Sequence, residues 1–231
     1  MGTFLEAAQE AIRLLLAMDP VLVEVLVRSL QVSASALLIS SLVGIPLGTW
    51  LALAGFPGKR IATAIIYTGM GLPPVVVGLV VYLFLSRSGA FGSLGWLFTV
   101  RAMVVAQVII ATPLITGITM SSILAVDPDL RPQLRALGAT ELQTTRAVLL
   151  EARAGVLVGL VAGFGRVIAE VGAVILVGGN IDGKTRVLTT AIVLETRRGN
   201  FDVALALGII LLAVAFSINF LLVALQGKTT I

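Results

Sequence analysis

Residues Gly178–Thr185 read GGNIDGKT, which matches the phosphate-binding pattern G-x-x-x-x-G-K-[ST] at every fixed position. Whether the chain is a nucleotide-binding α/β domain depends on what surrounds this octet. A phosphate loop works where a β-strand feeds the glycines and a helix follows, so that backbone N–H groups and a helix N-terminus face the phosphates. Here the octet closes an apolar run, Ala154–Gly179, that is long enough to cross a bilayer. The short amphipathic stretch RVLTTAIVLETRRGNFD follows, Arg186–Asp202, and then another apolar run. No acidic magnesium motif on a buried strand comes after it, and the chain has no room for the sheet that would hold one. The octet is therefore read as a coincidental match, with glycines that let the chain turn at a membrane surface.

Composition agrees. Of 231 residues, 58% are hydrophobic and 12% charged, and the mean hydropathy is +1.09. Soluble domains carry about twice that charged fraction, so this chain has too little polar surface to coat a globule. One integral membrane domain is expected, covering residues 1–231. The net charge of +4 suits contact with anionic lipid, and no clustered basic stripe of the nucleic-acid kind is present. The absence of cysteine and histidine excludes disulfides, thiol nucleophiles, imidazole bases and the usual zinc ligands. No convergent cluster of the remaining carboxylates, hydroxyls and lysines points to an enzyme.

Five apolar segments of spanning length stand out: Val32–Ala54, Ile61–Leu85, Ala102–Leu124, Ala154–Gly179 and Val203–Leu225. No barrel-type alternation occurs, so an all-α bundle is expected. Ahead of it, TFLEAAQEAIRLLLAMDP places Leu5, Ala8, Ile12 and Leu15 at helical spacing, with Glu6, Glu10 and Arg13 elsewhere on the wheel. The spacing predicts an amphipathic surface helix over about 3–18, and its charges argue against a signal-peptide core. Asp19 ends it, and Pro20 can start the next helix in its first turn. Pro73 and Pro74 fall inside the second segment and Pro113 inside the third. Proline frees a carbonyl and kinks a helix, which serves either simple packing or a polar pathway.

Lys/Arg bias does not orient the bundle. With the loops at 55–60 and 125–153 placed inside, seven basic residues lie inside and eight outside.

The longest segment between spans is DPDLRPQLRALGATELQTTRAVLLEAR, Asp127–Arg153. Leu130, Leu134 and Leu137 recur at helical spacing, Gly138 interrupts, and Leu142 and Leu149 resume. The pattern predicts two short amphipathic helices hinged at LGAT, as either a docking surface for a soluble partner or a loop that returns the chain. Inside the fourth span, Arg166 and Glu170 are four residues apart, with Arg166 roughly 18 Å into the helix at 1.5 Å per residue. The spacing predicts an ion pair. Charge at that depth marks either a transport path or a packing device.

Asp127–Arg153 resembles the cytoplasmic loop of ABC importer permeases, E-A-A-x3-G-x9-I-x-L-P. Gly138 takes the glycine position, Val148 the Ile and Leu150 the Leu, while Pro132-Gln133-Leu134 replaces E-A-A and Glu151 the final Pro. GLPPVVVGLVVYLFLSRSG (71–89), GFGRVIAEVGAVILVGGNI (163–181) and TRVLTTAIVLETRRGNFDVALALG (185–208) are similar to the molybdate/tungstate branch of that family. The last block and LLEAR (149–153) are closer to its tungstate type.

The resemblance implies a type I importer fold in the cytoplasmic membrane, with five spans and 127–153 on the cytoplasmic side. It implies a homodimer, two cytoplasmic ATPase subunits that hold the ATP and magnesium, and an extracytoplasmic oxyanion-binding protein. This chain would hold no cofactor and no metal. Arg135, Ala136, Leu137, Gly138, Ala139 and Thr140 would form the core of the ATPase-coupling helix. Independently of the resemblance, the mid-span prolines and charges make Pro73, Pro74, Arg166 and Glu170, with Asn180, the candidates to line the path or gate. Lys184, Arg186, Arg197 and Arg198 would form a basic outer mouth. Molybdate is the alternative cargo. A self-sufficient carrier or channel, and a protein that only docks a partner, are the readings from other classes.

Overall fold

The computed structural model describes residues 19–226, with Gln9, Ile12, Arg13 and Ala17 before them; the side chains of residues 225 and 226 are not described. Of the amphipathic helix expected over 3–18, only Gln9, Ile12 and Arg13, which are helical, and Ala17, in a turn, are described; the rest lies outside the described residues. The described chain is helical throughout. Its helices are α1 Pro20–Leu53, α2 Lys59–Met70, α3 Pro74–Leu85, α4 Val100–Leu124, α5 Leu130–Ala136, α6 Glu141–Glu151, α7 Arg153–Ile168, α8 Gly172–Gly178, α9 Leu188–Arg198 and α10 Phe201–Gln226, with a short 3-10 turn at Gly92–Leu94.

Among the described residues three helices, α1, α4 and α10, are long and apolar enough to cross a membrane; counting the bent pairs α2–α3 and α6–α7 as one span each raises the number to five. The first expected span, from Val32, begins twelve residues too late. Asp19 caps α1 by accepting from the N–H groups of Val21 (2.9 Å) and Leu22 (3.0 Å), and Pro20 occupies the first turn. Glu24 and Arg28 interrupt the apolar run but pair with each other at 2.7 Å on one helix face. At 34 residues α1 is about 50 Å long, more than a hydrocarbon core of about 30 Å. Its other end is closed by Lys59, whose Nζ donates to the carbonyls of Ala52 (3.1 Å) and Ala54 (3.0 Å). Beside that closure Trp50 stacks on Phe56, and at the opposite end of the bundle the Arg101 guanidinium lies over Trp96. Tryptophans at both ends suit the two membrane interfaces.

The largest helix interface in the bundle is that of α1 with α4. Gly48 permits it: a Cβ there would stand 2.6 Å from the Thr116 carbonyl oxygen. Pro46 inside α1 and Pro113 inside α4 leave both helices uninterrupted. At Pro73 and Pro74 the outcome is stronger than the expected kink. The residue before a proline is pushed to extended backbone, and Pro73 takes φ −66°, ψ 120°. The helix stops at Met70, restarts at Pro74 and turns through 101°. The expected span 154–179 is likewise broken: α7 ends at Ile168 and α8 begins at Gly172.

Candidate functional site

Two features carry the chain's unusual chemistry, the α5–α6 elbow and the break between α7 and α8, and α1 runs from the elbow to the loop after α8. The α1 C-terminus meets the α5–α6 elbow, because Arg131 Nη1 donates to the Leu53 carbonyl at 3.3 Å. Its N-terminal part meets the loop after α8, because Arg28 Nη2 donates to the Gly183 carbonyl at 3.2 Å.

The elbow has the predicted two helices. α5 ends in a Schellman turn: Gly138 N donates to Arg135 O and Ala139 N to Leu134 O, both at 3.0 Å. Gly138 sits at φ +86°, in the left-handed region that side chains rarely adopt. Thr140 then opens α6 with a reciprocal capping box, its Oγ1 accepting from Gln143 N (3.3 Å) and its N–H donating to Gln143 Oε1 (2.8 Å). Thr144 and Val148 are buried, anchoring α6 in a core cluster that contains Leu51 and Met120. Glu141 ties the two arms together, 2.6 Å from Arg135 and 3.9 Å from Arg131. The tip is left bare: Leu137 is 85% exposed and Leu142 80%. Behind the elbow, Ser122, Asp127, Gln133 and Glu151 help line a cavity of about 640 Å³. The elbow is therefore rigid within itself, and open space separates part of it from the bundle. Arg131 and Glu141 were not singled out as site residues by the sequence reading. The T-x-x-Q box at Thr140–Gln143 is the signal that would have flagged them.

The second feature is the break between α7 and α8. The predicted Arg166–Glu170 ion pair does not form, because α7 ends at Ile168 and the i,i+4 geometry is lost. Glu170, 7% exposed, instead accepts the Ala173 N–H on Oε1 at 2.9 Å and so serves the start of α8. Neighbouring helices take up two carbonyls at the break. Gln107 Nε2 of α4 donates to Val167 O (2.9 Å), and Thr189 Oγ1 of α9 donates to Glu170 O (2.9 Å). Arg166, half-buried, reaches across to the other broken helix, its Nη2 3.5 Å from the Leu72 carbonyl next to Pro73. The two breaks thus lie side by side, and α3 packs closely on α8: a Cβ on Gly78 would come within 2.6 Å of Ala173 Cα.

Pro73, Pro74, Arg166 and Glu170 are therefore brought together, whereas Asn180 lies beyond the far end of α8, at φ 50°. Its Nδ2 is 3.4 Å from Thr190 O, and its Oδ1 is buried without a partner.

Gly178–Thr185 has no phosphate-loop architecture: a helix, α8, leads into it and no strand occurs among the described residues. Buried Thr185 donates to Gly178 O (2.6 Å) and accepts from Ile181 N (2.9 Å), while the N–H groups of Lys184, Thr185 and Arg186 all point back to Ile181 O. These donors are spent on the turn itself. Of the basic residues near this end, Arg186 pairs with Asp182 (2.7 Å) and Arg198 with Glu195 (2.8 Å); Lys184 and Arg197 are exposed.

Comparison with known proteins places these features in context. The family described as binding-protein-dependent transport system inner membrane component matches residues 44–230. A probable anion ABC transporter permease of Haloferax volcanii is 43% identical over 213 residues, covering 90% of this chain and 92% of that protein. A tungstate uptake system permease of Peptoclostridium acidaminophilum is 38% identical over 223 residues, covering 96% and 98%. A molybdenum transport system permease of Escherichia coli K12 is 32% identical over 171 residues, covering 71% and 75%. Among solved structures, an inward-facing methionine ABC transporter matches with a TM-score of 0.76 at 20% identity, covering 93% of this chain and 99% of that one. A bacterial alginate ABC transporter in complex with a periplasmic protein loaded with an alginate pentasaccharide matches with a TM-score of 0.72 at 23% identity, covering 87% and 76%.

Proposed function

The chain belongs to the family of binding-protein-dependent transport system inner membrane components, and we propose that it is the permease subunit of an ATP-driven importer whose cargo is tungstate. The observation that carries the cargo is the end-to-end match to a tungstate uptake permease, which leaves almost no part of either chain uncovered. The molybdenum permease is less similar and covers less of the chain, which makes molybdate the second reading.

The chain acts as a single unit in the cytoplasmic membrane and crosses it five times, by α1, the bent pair α2–α3, α4, the broken pair α7–α8 and α10, with the α5–α6 elbow inside. Two copies form the pathway. Each elbow seats Arg135–Thr140 in a cytoplasmic ATPase subunit, which holds the ATP and magnesium. The exposed Leu137 and Leu142 supply the apolar contact, and the Glu141 bridge lets the elbow move as one lever. When the ATPase subunits close, the levers swing and the pathway opens outward, where a separate binding protein delivers the anion. The alginate transporter, solved with its periplasmic protein, supports that kind of partner.

The test is ATP hydrolysis in proteoliposomes holding this chain with the ATPase and binding protein encoded beside it, titrated separately with tungstate, molybdate and sulfate. Stimulation by tungstate at far lower concentration than by molybdate is expected. An equal response would reduce the reading to oxyanions in general, and no response from an assembled complex would refute it.

A further inference from the structure

We propose that Arg166 is the mid-membrane contact for the transported oxyanion, a guanidinium held out at the paired helix breaks with no carboxylate to neutralise it. The inference rests on the oxyanion-permease reading above and adds to it the group that meets the cargo inside the bundle.

The starting point is the charge balance. The carboxylate nearest in sequence, Glu170, is committed to the Ala173 amide, and among the described residues no carboxylate lies within ion-pair distance of Arg166. An arginine side chain keeps its charge in proteins, and a charge at membrane depth is costly unless something meets it. The one hydrogen bond of Arg166, 3.5 Å to Leu72 O, is longer than an ordinary N–H···O bond, so most of the five guanidinium donors are unused. Arg28, inside the spanning-length helix α1, differs in kind: it holds Glu24 at 2.7 Å and the Gly183 carbonyl at the outer end.

The backbone around Arg166 is, by contrast, held by its neighbours. Gln107 and Thr189 fix the carbonyls of Val167 and Glu170 on either side of the α7 terminus. Such a break could be expected to leave its backbone groups for a ligand, but neighbouring side chains fill them. What remains open there is the guanidinium as donor, with the buried Gln107 Oε1 as an unpartnered acceptor on α4.

A tetrahedral dianion suits that opening. Two parallel N–H groups of a guanidinium match two oxygens of such an anion, a geometry a lysine cannot offer. One fork with no further built donors also holds the anion weakly, as a transport path requires if cargo is to leave again. A homodimer supplies one such arginine from each subunit.

The test uses the assembled complex in proteoliposomes and reads uptake of tungstate, molybdate and sulfate alongside ATP hydrolysis. Arg166→Gln is expected to lower uptake on the order of tenfold, the worth of one charge-assisted hydrogen-bonded contact, while hydrolysis stimulated by the loaded binding protein stays at the wild-type level. The number of anions imported per ATP then falls with the uptake. Arg166→Lys, which keeps the charge and loses the fork, should fall between the two. An arginine that only packs the bundle would lose uptake and hydrolysis together or leave both intact, and either pattern overturns the proposal. Should Arg166→Gln not assemble, the lysine variant decides: a reduced ratio of anion to ATP supports the contact, and an unchanged ratio refutes it. If the wild-type complex hydrolyses ATP yet imports none of the three anions, the oxyanion reading falls and takes this one with it. If the wild type imports and Arg166→Gln imports equally well, only the contact falls.

Discussion

At the elbow, Arg131 and Arg135 share Glu141, and the Leu53 carbonyl takes a further Arg131 donor. At the break between α7 and α8, Arg166 has one long bond to Leu72 O, and its expected partner Glu170 caps α8 instead. Both places interrupt a helix beside an arginine, but the elbow neutralises its charge where water would have screened it anyway, and the break leaves its charge open where screening is poor. An exposed ion pair contributes about 0–1 kcal/mol, so Glu141 is better understood as fixing the angle of a lever than as a source of stability. The break reverses the allocation. Its acid supports the backbone, and its base is left for the cargo.

That contrast can be broken first at the elbow tip. Gly138→Asp puts a side chain and a negative charge at a left-handed position beside exposed Leu137, and association with the ATPase should be lost while the chain still inserts in the membrane. Copurification of the ATPase with the tagged variant checks this, and undiminished recovery would remove the elbow from the coupling role. Glu170→Ala comes next. It strips the acceptor from the Ala173 amide at the start of α8, a loss of about 1 kcal/mol, up to about 2, on the scale of helix caps, to be read as a lowered melting temperature of the purified chain.

Glu141→Gln should be milder. Freed arginines loosen the lever, so anions imported per ATP should fall a few-fold with no change in melting beyond about 1 kcal/mol. High salt should reproduce part of that fall in the wild type, because screening weakens exposed pairs. Glu170→Gln should do least, since an amide oxygen can still accept from Ala173 N, and near-normal uptake in this variant would separate a structural Glu170 from a cargo-binding Arg166. A Glu170→Gln defect as deep as that of Arg166→Gln would show instead that the two act as a pair.

Much of the elbow was legible in the sequence because its signals are local. Gly138 between two leucine-spaced runs predicts the hinge, and the capping box at Thr140–Gln143 is written in four consecutive residues. The breaks were not legible for the opposite reason. Hydropathy runs unbroken through Ala154–Gly179, and nothing local shows that Ala169–Val171 leaves the helix; Gln107 and Thr189, which stabilise that exit, are 60 and 19 residues from their partners. The Arg166–Glu170 spacing was therefore read on a helix that stops two residues short of the glutamate. The start of α1 was misjudged because Glu24 and Arg28 look like an end to an apolar run until they are seen to pair.

The most direct test of whether the elbow is the ATPase contact exploits the absence of cysteine from the chain. Leu137→Cys and Lys184→Cys each introduce a single thiol, one at the elbow tip and one in the loop after α8, and a short reagent with one thiol-reactive and one photoreactive end is attached to it and illuminated in the assembled complex. Leu137→Cys is predicted to cross-link to the ATPase subunit and Lys184→Cys never to do so. Failure of Leu137→Cys to reach the ATPase in an assembled complex, or capture of the ATPase by Lys184→Cys, would contradict the assignment.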